Sequence, residues 1–354
     1  MIPVGRSIWH LVATLGSLRL TLVILLGLAA GVLWTYHSEV RTSWELVVPL
    51  LLFAVNLLAA IVTRPAFLRQ PGLLVFHLAL IAVLLLVATG RLTYLKGHVG
   101  VATGSEAHGG LDEGARGPWH RDRLAESVFS NDGFGIEYAP GLQRGATYNL
   151  VSWEDADGQL REQVIGDQIP LVLNGYRFYT TFNKGFSPVF TWHPDEGGVP
   201  LTGAVNLPSY PLHDYEQALY WTPPGSAREI WTLLEIEETV LDPDLAGHFR
   251  VPERHSVVLR WDDQRHELRR GDALRLDDGW LRYDGLTTWM GYRVYYDRTI
   301  PWLFAACFIG IGSLGWHYWR RFAQRPWRPG LTDAEMEALT TAGVRPQTGD
   351  RPHA

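Results

Sequence analysis

Cysteine is almost missing from this sequence: of 354 residues, only Cys307 is one. A lone thiol closes no disulfide within its own chain and forms no Cys-x-x-Cys pair, which excludes thiol–disulfide exchange by this chain alone. Cys307 lies in an apolar stretch, where a cysteine behaves as a small hydrophobe. No phosphate-binding loop, no Gly-x-Ser-x-Gly nucleophile elbow and no spaced basic patch for nucleic acid is present. There are 13 histidines, yet none falls in His-x-x-Glu-His or another tight metal-binding spacing. His98, His108, His120, His193, His213, His248, His255 and His266 therefore read as surface residues of a polar region.

What the chain has instead is apolar length. A bilayer core needs about 20 mostly apolar residues of helix to cross it. Leu11 to Trp34, Trp44 to Val62 and Gly72 to Leu92 each supply roughly that. A fourth, shorter run, Ile300 to Trp316, lies in a helix expected over 300–319 and carries Gly310, Gly312 and Gly315, small residues that let helices approach closely. The first run is longer than a signal-peptide core and lacks a clear small-residue cleavage site, so it reads as a span. Arg19 near its start is placed to snorkel to the head groups. Asn56 in the second run reads as an amide that bonds a neighbouring helix. Trp34, Trp44, Trp302 and Trp316 fall where interfacial aromatic belts form.

Charge is unevenly shared. Tyr94 to Thr299 carries 31 acidic against 19 basic residues, a formal charge of −12, whereas the rest of the chain is +6. Arg6, Arg64, Arg69, Arg320, Arg321, Arg325 and Arg328 all fall on one side of the expected spans. By the positive-inside rule that side is the cytoplasm, and the long polar segment is extracytoplasmic. The expected organisation is three transmembrane helices in 1–93, an extracytoplasmic domain over 94–299, the fourth helix at 300–319, and a cytoplasmic, largely disordered tail over 320–354. Within that tail, Thr332-Asp-Ala-Glu335 has the form of a capping box.

The polar segment reads as β structure, in short β-branched and aromatic runs between turn signals. Strands are expected at Phe134–Tyr138, Ala146–Trp153, Gln163–Ile169, Tyr176–Phe182, Pro188–Trp192, Ile230–Glu237, Ser256–Trp261 and Tyr292–Tyr296. Hairpin tips are expected at Asp155-x-Asp157-Gly158 and Asp277-Asp278-Gly279. Gly104 to Arg121 and Pro194 to Pro211 read as irregular, and a short helix is expected around Asp214 to Leu219. The fold class is thus α+β: four transmembrane helices and one large antiparallel β-rich domain between the third and fourth, built of one sheet or two packed sheets.

Chemistry concentrates on one residue. His77 sits in the third span, about six residues or 9 Å from its cytoplasmic end. Ionisable residues inside a span are costly and mark cofactor or partner sites, and imidazole is a common haem ligand. A hydrogen-bonded structural histidine is the plainer alternative. No second histidine falls clearly inside a span; His10 and His37 flank the first and His317 ends the fourth. A bis-histidine site would therefore draw on a partner subunit or on a flanking histidine. Arg64 and Arg69, at the mouth of the His77 helix, are candidates for charge-assisted contacts to two carboxylates, and topogenic signalling explains them equally.

The segments Leu15-Gly-Ser-Leu-Arg-Leu-Thr21, Asn56-Leu-Leu with Arg64, Val75-Phe-His77 leading to Gly90-Arg-Leu-Thr93 and Lys96-Gly97, Leu173-Asn-Gly-Tyr-Arg-Phe-Tyr179, and Gly291-Tyr-Arg-Val-Tyr-Tyr-Asp297 before Pro301-Trp302 resemble the ResB (CcsB) family. The resemblance runs to about Arg321 and is strongest in the membrane part. It implies a subunit of system II cytochrome c biogenesis in the bacterial inner membrane. Such a subunit has both termini cytoplasmic and works with a CcsA (ResC)-like partner in haem transport and in attachment of haem b to apocytochrome c. It also implies that His77 is an axial haem ligand, while the tryptophan-rich motif and outer histidines belong to the partner. Trp153-Glu-Asp and Trp261-Asp-Asp do not reproduce that motif, so no catalytic residue is expected here. The other readings of the residues are a b-type haem electron-transfer subunit and a cofactor-free membrane-anchored scaffold or receptor.

Overall fold

A computed structural model describes residues 4–38, 43–195, 197–224, 226, 228–262, 264–277, 279–323, 338 and 341. The capping box at Thr332–Glu335 and Asp278 lie outside the described residues. In chain order the helices are Val4–Leu15 (α1), Leu18–His37 (α2), Trp44–Thr63 (α3), the short Pro65–Arg69 (α4), Pro71–Thr93 (α5) and Ile300–Ala323 (α6). Four of them, α2, α3, α5 and α6, are long and apolar enough to cross a membrane. Their apolar side chains point outward, with Leu26, Phe308 and Ile311 more than 70% exposed. Exposed apolar surface on this scale fits a multi-pass membrane protein.

The strands between α5 and α6 are Leu95–Ala102 (β1), Glu106–Ala107 (β2), Glu113–Arg116 (β3), Phe129–Ala139 (β4), Gln143–Glu154 (β5), Leu160–Ile165 (β6), Leu171–Leu173 (β7) and Tyr176–Pro194 (β8). They continue with Leu201–Ala204 (β9), Ala218–Trp221 (β10), Ile230–Ile236 (β11), Gly247–His248 (β12), His255–Trp261 (β13), Gln264–Leu268 (β14), Ala273–Leu276 (β15) and Gly279–Tyr296 (β16). All pairings are antiparallel, in three sheets rather than one or two. A seven-stranded sheet runs β3-β1-β16-β8-β7 with β15 on β16 and β9 on β8; the others run β10-β11-β13-β14 and β12-β4-β5-β6 with β2 on β4. The chain forms two compact units: Met1–Val23, Phe53–Leu84 and Leu303–Ala354 make one, Ile24–Leu52 and Leu85–Trp302 the other.

In the first unit, the run expected as one span from Leu11 is two helices. Gly16 and Ser17 break it: a Cβ on Gly16 would lie 2.7 Å from the backbone nitrogen of Ala60, so only glycine lets the two backbones meet. Ser17 Oγ then accepts from Leu20 N at 3.3 Å and caps α2. Asn56 of α3 makes the interhelical bonds expected of it, donating to Leu15 O at 2.5 Å and accepting from Thr21 Oγ1 at 2.8 Å. The carbonyl exposed by the break is thereby satisfied.

Of the three late glycines, Gly310 packs on α5, its Cβ position 3.4 Å from Ala79 Cβ, while Gly312 and Gly315 face open space. Close approach is greater at the first turn of α5. A Cβ on Gly72 would stand 2.9 Å from His317 Cβ and 3.0 Å from Ser313 O. The α6 face that carries Ala306, Gly310, Ser313 and His317 therefore lies on the α5 face that carries Gly72, Phe76 and Ala79.

The second unit is dominated by the β domain. The last carbonyls of α5 are capped by one segment that follows β3: Trp119 N donates to Leu92 O at 2.8 Å, His120 Nδ1 to Thr93 O at 2.8 Å and Gly117 N to Tyr94 O at 2.9 Å. The core gathers Phe129, Phe178, Tyr292, Phe186, Phe190 and Trp192, all nearly inaccessible. Asp155 and Gly158 close the expected hairpin, Gly158 N donating to Asp155 O at 3.0 Å. Leu276 pairs with Gly279 around the second tip. β6 stops at Ile165 instead of Ile169 because Gly166 N turns back to Ile169 O at 3.0 Å. The helix expected around Asp214 is a single turn: His213 N reaches Ser209 O at 2.8 Å, but the next residues leave to pair as β10 with β11.

Lys184 of β8 is 4% exposed, the one buried lysine among the described residues. Its ammonium lies 5.6 Å from the Tyr138 ring centroid and donates to Phe182 O at 3.3 Å. Burial, with Arg144 nearby, pulls its pKa down to about 8 against the pull of Asp167. Between about pH 8 and 10.5 the folded chain has released this proton while the unfolded chain keeps it, so stability rises with pH across that window. Below it the full cost of the buried charge is present. Lys184→Met keeps the apolar stem and removes the charge. It should raise the thermal midpoint at pH 7 by several degrees and abolish the alkaline rise, both read in thermal melts from pH 7 to 10.5.

Candidate functional site

The His77 site is assembled from α4 and α5. Pro65 starts α4 and Pro71 starts α5, each at a first helical position where a missing N–H costs nothing. This short hinge folds Phe67 back over His77, with ring centroids 4.6 Å apart and planes at 68°. Phe76 presents a second edge at 5.2 Å. His77 itself is half-buried.

Its protonation pattern follows from one bond. His77 Nδ1 lies 2.7 Å from Leu73 O, one helical turn back. A carbonyl oxygen only accepts, so Nδ1 carries the proton and Nε2 of the neutral ring keeps its lone pair. Among the described residues nothing bonds Nε2. Metal-ligating imidazoles have this arrangement, one nitrogen donating to a carbonyl and the other facing the metal.

Two histidines of the β domain differ. His120 donates from Nδ1 to Thr93 O, and its Nε2 lies 3.0 Å from Tyr176 Oη. His255 donates from Nδ1 to Pro252 O, and its Nε2 accepts from Tyr283 Oη at 2.9 Å. Both nitrogens are spent in each ring, so these are structural cross-links. His37, the last residue of α2, shares the His77 pattern, with Nδ1 3.2 Å from Leu33 O. It lines an open cavity of about 810 Å³ with Lys96, His98, Glu113 and Arg116. Among the described residues no three His, Cys, Asp or Glu side chains cluster to hold a metal ion.

His317 is placed differently from the sequence expectation. It lies inside α6 rather than at its end, because the helix continues to Ala323. It stands against Gly72, five residues before His77, which is roughly 7.5 Å along the axis and about 140° around it. His77 thus points away from the face that α6 covers. Arg64 is exposed in extended conformation where α4 begins, with φ −113°. Arg69, at the other end of α4, lines a cavity of about 470 Å³ with His317, Arg320 and Arg321. The sequence signal for that cavity is faint, since the arginines are some 250 positions apart.

Fold and site together define an α+β chain of apolar helices and antiparallel sheets, in which a helix long and apolar enough to span a membrane presents one imidazole whose second nitrogen has no partner among the described residues. The chain belongs to the ResB-like family, whose profile matches residues 59–330, from the end of α3 through the β domain and α6. Membership assigns it a role in cytochrome c biogenesis. A search of curated proteins finds no match.

Proposed function

We propose that this chain is the membrane subunit of a system II cytochrome c maturation complex, which takes haem at His77 and passes it toward covalent attachment to apocytochrome c. The observation that carries the proposal is the His77 tautomer: Nδ1 is committed to Leu73 O and Nε2 is left with its lone pair in an apolar helix. Haem brings an iron with two axial positions, of which Nε2 fits one. The ring edges of Phe67 and Phe76 offer apolar surface to a porphyrin. Because α6 lies on another face of α5, a CcsA-like membrane partner would supply the second axial ligand. Arg64 would meet a haem carboxylate by a charge-assisted bond.

In this reading the chain crosses the bacterial inner membrane four times. Both termini are cytoplasmic, and the acidic β domain faces the apocytochrome. The chain contributes a ligand and a docking surface rather than a catalytic group. The test is the visible spectrum of the detergent-purified chain, alone and co-purified with its CcsA-like partner. A Soret band that is strong with the partner is expected. A complex that forms stoichiometrically yet carries no Soret absorbance would leave a cofactor-free scaffold as the reading.

A further inference from the structure

The cavity below His77 is built from both ends of the chain. Arg69 and Gln70 line it together with Pro71 and Gly72 of α5 and Trp316, His317, Arg320 and Arg321 of α6. The glycine at 72 brings the helices together, and this contact sets the three guanidinium groups around one space. No carboxylate lines the cavity, and among the described residues none of the three arginines has an ion-pair partner. Arg320 instead lies over the Trp316 ring, 5.5 Å from its centroid. The first turn of α5 contributes the backbone N–H of Gly72, which has no partner within the helix. Three cations with no ion-pair partner among the described residues, an imidazole and a helix N-terminus around one cavity make an anion site.

We propose that this cavity binds a phosphate group, and that the head group of an anionic phospholipid supplies it. The geometry suits phosphate: guanidinium forks match phosphate oxygens bidentately, and the lipid-facing apolar surfaces of α5 and α6 continue directly from the cavity rim. Basic pockets between spanning helices are known acceptors of anionic head groups. The proposal does not rest on the haem reading, and its test uses haem-free protein.

The full chain is reconstituted in nanodiscs of phosphatidylglycerol, phosphatidylcholine or an equal mixture. Lipid that stays bound after detergent extraction is then counted by native mass spectrometry. Wild type should retain phosphatidylglycerol in preference to phosphatidylcholine, and removal of each cavity arginine should cut that preference roughly fivefold. Arg320→Gln/Arg321→Gln is compared with Arg121→Gln/Arg293→Gln, which removes the same charge from exposed residues outside the lining and should leave the preference intact. Arg69→Gln alone guards against altered insertion, because Arg64, Arg320 and Arg321 remain to set topology. In lipid-free detergent, inorganic phosphate that binds with the same arginine dependence while phosphatidylglycerol does not would keep the phosphate site and make its source soluble. Equal retention of the two lipids with no phosphate binding overturns the proposal, as does a preference that both cavity variants, Arg69→Gln and Arg320→Gln/Arg321→Gln, preserve.

Discussion

His77→Gly should strip haem from the complex with the CcsA-like partner by at least about tenfold, and free imidazole at millimolar concentration should return it. The argument is one of bonds. Loss of an outer partner of a metal ligand already costs 10–100-fold in affinity, and here the ligand itself is removed. Glycine leaves a ring-sized space between Phe67 and Phe76, the two rings that flank His77, into which imidazole fits. His77→Gln sharpens the test. Its amide can still donate to Leu73 O, so a purely structural histidine would be well replaced, whereas an axial ligand would not. Haem retention and Soret position are the readouts. A Gln variant with the wild-type spectrum would make His77 structural.

Asn149→Leu should unfold the β domain more readily than any conservative change on its surface. Asn149 Nδ2 donates to Asn131 Oδ1 and to Gly133 O, both at 2.8 Å, and its Oδ1 accepts from Tyr292 Oη at 2.7 Å. Asn131 Nδ2 in turn donates to Val101 O at 2.9 Å. One amide therefore ties β5 to β4 and β16, and through Asn131 to β1, across two sheets, with Asn131, Asn149 and Tyr292 inaccessible to water. Burial also lifts the Tyr292 hydroxyl far above the ordinary tyrosine range, so it stays protonated and must donate. Leucine orphans the buried Tyr292 hydroxyl and takes a donor from Gly133 O and from Asn131 Oδ1, which keeps only the 3.2 Å bond from Gly133 N, for a total cost on the order of 3 kcal/mol. Tyr292→Phe should cost only about 1 kcal/mol, and the double variant less than the sum. Urea unfolding of the detergent-solubilised chain, followed by tryptophan fluorescence, measures all three.

The sequence was most legible where a single periodicity ruled. The long apolar runs announced their helices, and His77 stood out because nothing else in its helix ionises before Arg91. Legibility failed where polar letters sit in buried places. β8 is one strand of 19 residues, where two strands, Tyr176–Phe182 and Pro188–Trp192, are expected with Asn183-Lys184-Gly185 between them. Lys184 is buried under Tyr138, and a side chain at 185 would strike Trp289 Nε1 at 2.8 Å. β1 was hidden by Lys96, Gly97, His98 and Gly100, although it occupies an inner position between β3 and β16. The break at Gly16 depends on Ala60 across the helix pair, which no local pattern reveals. The His77 tautomer was equally unreadable, since it rests on the position of a backbone carbonyl. The arginine cavity joins residues that only the packing of α5 on α6 brings together.

The β domain begins and ends on neighbouring strands. β1 leaves α5 and β16 enters α6, and the two are paired from Leu95 opposite Tyr296 to Ala102 opposite Trp289. Opposed residues in such a ladder lie only about 5 Å apart. Some 200 residues are thus hung from a doorway no wider than a hairpin. Growth, shrinkage or exchange of the domain during evolution would leave the two flanking helices at the same separation, with almost no change in the entropy of closing the chain between them. The helical part and its imidazole can therefore be kept constant while the domain is rewritten.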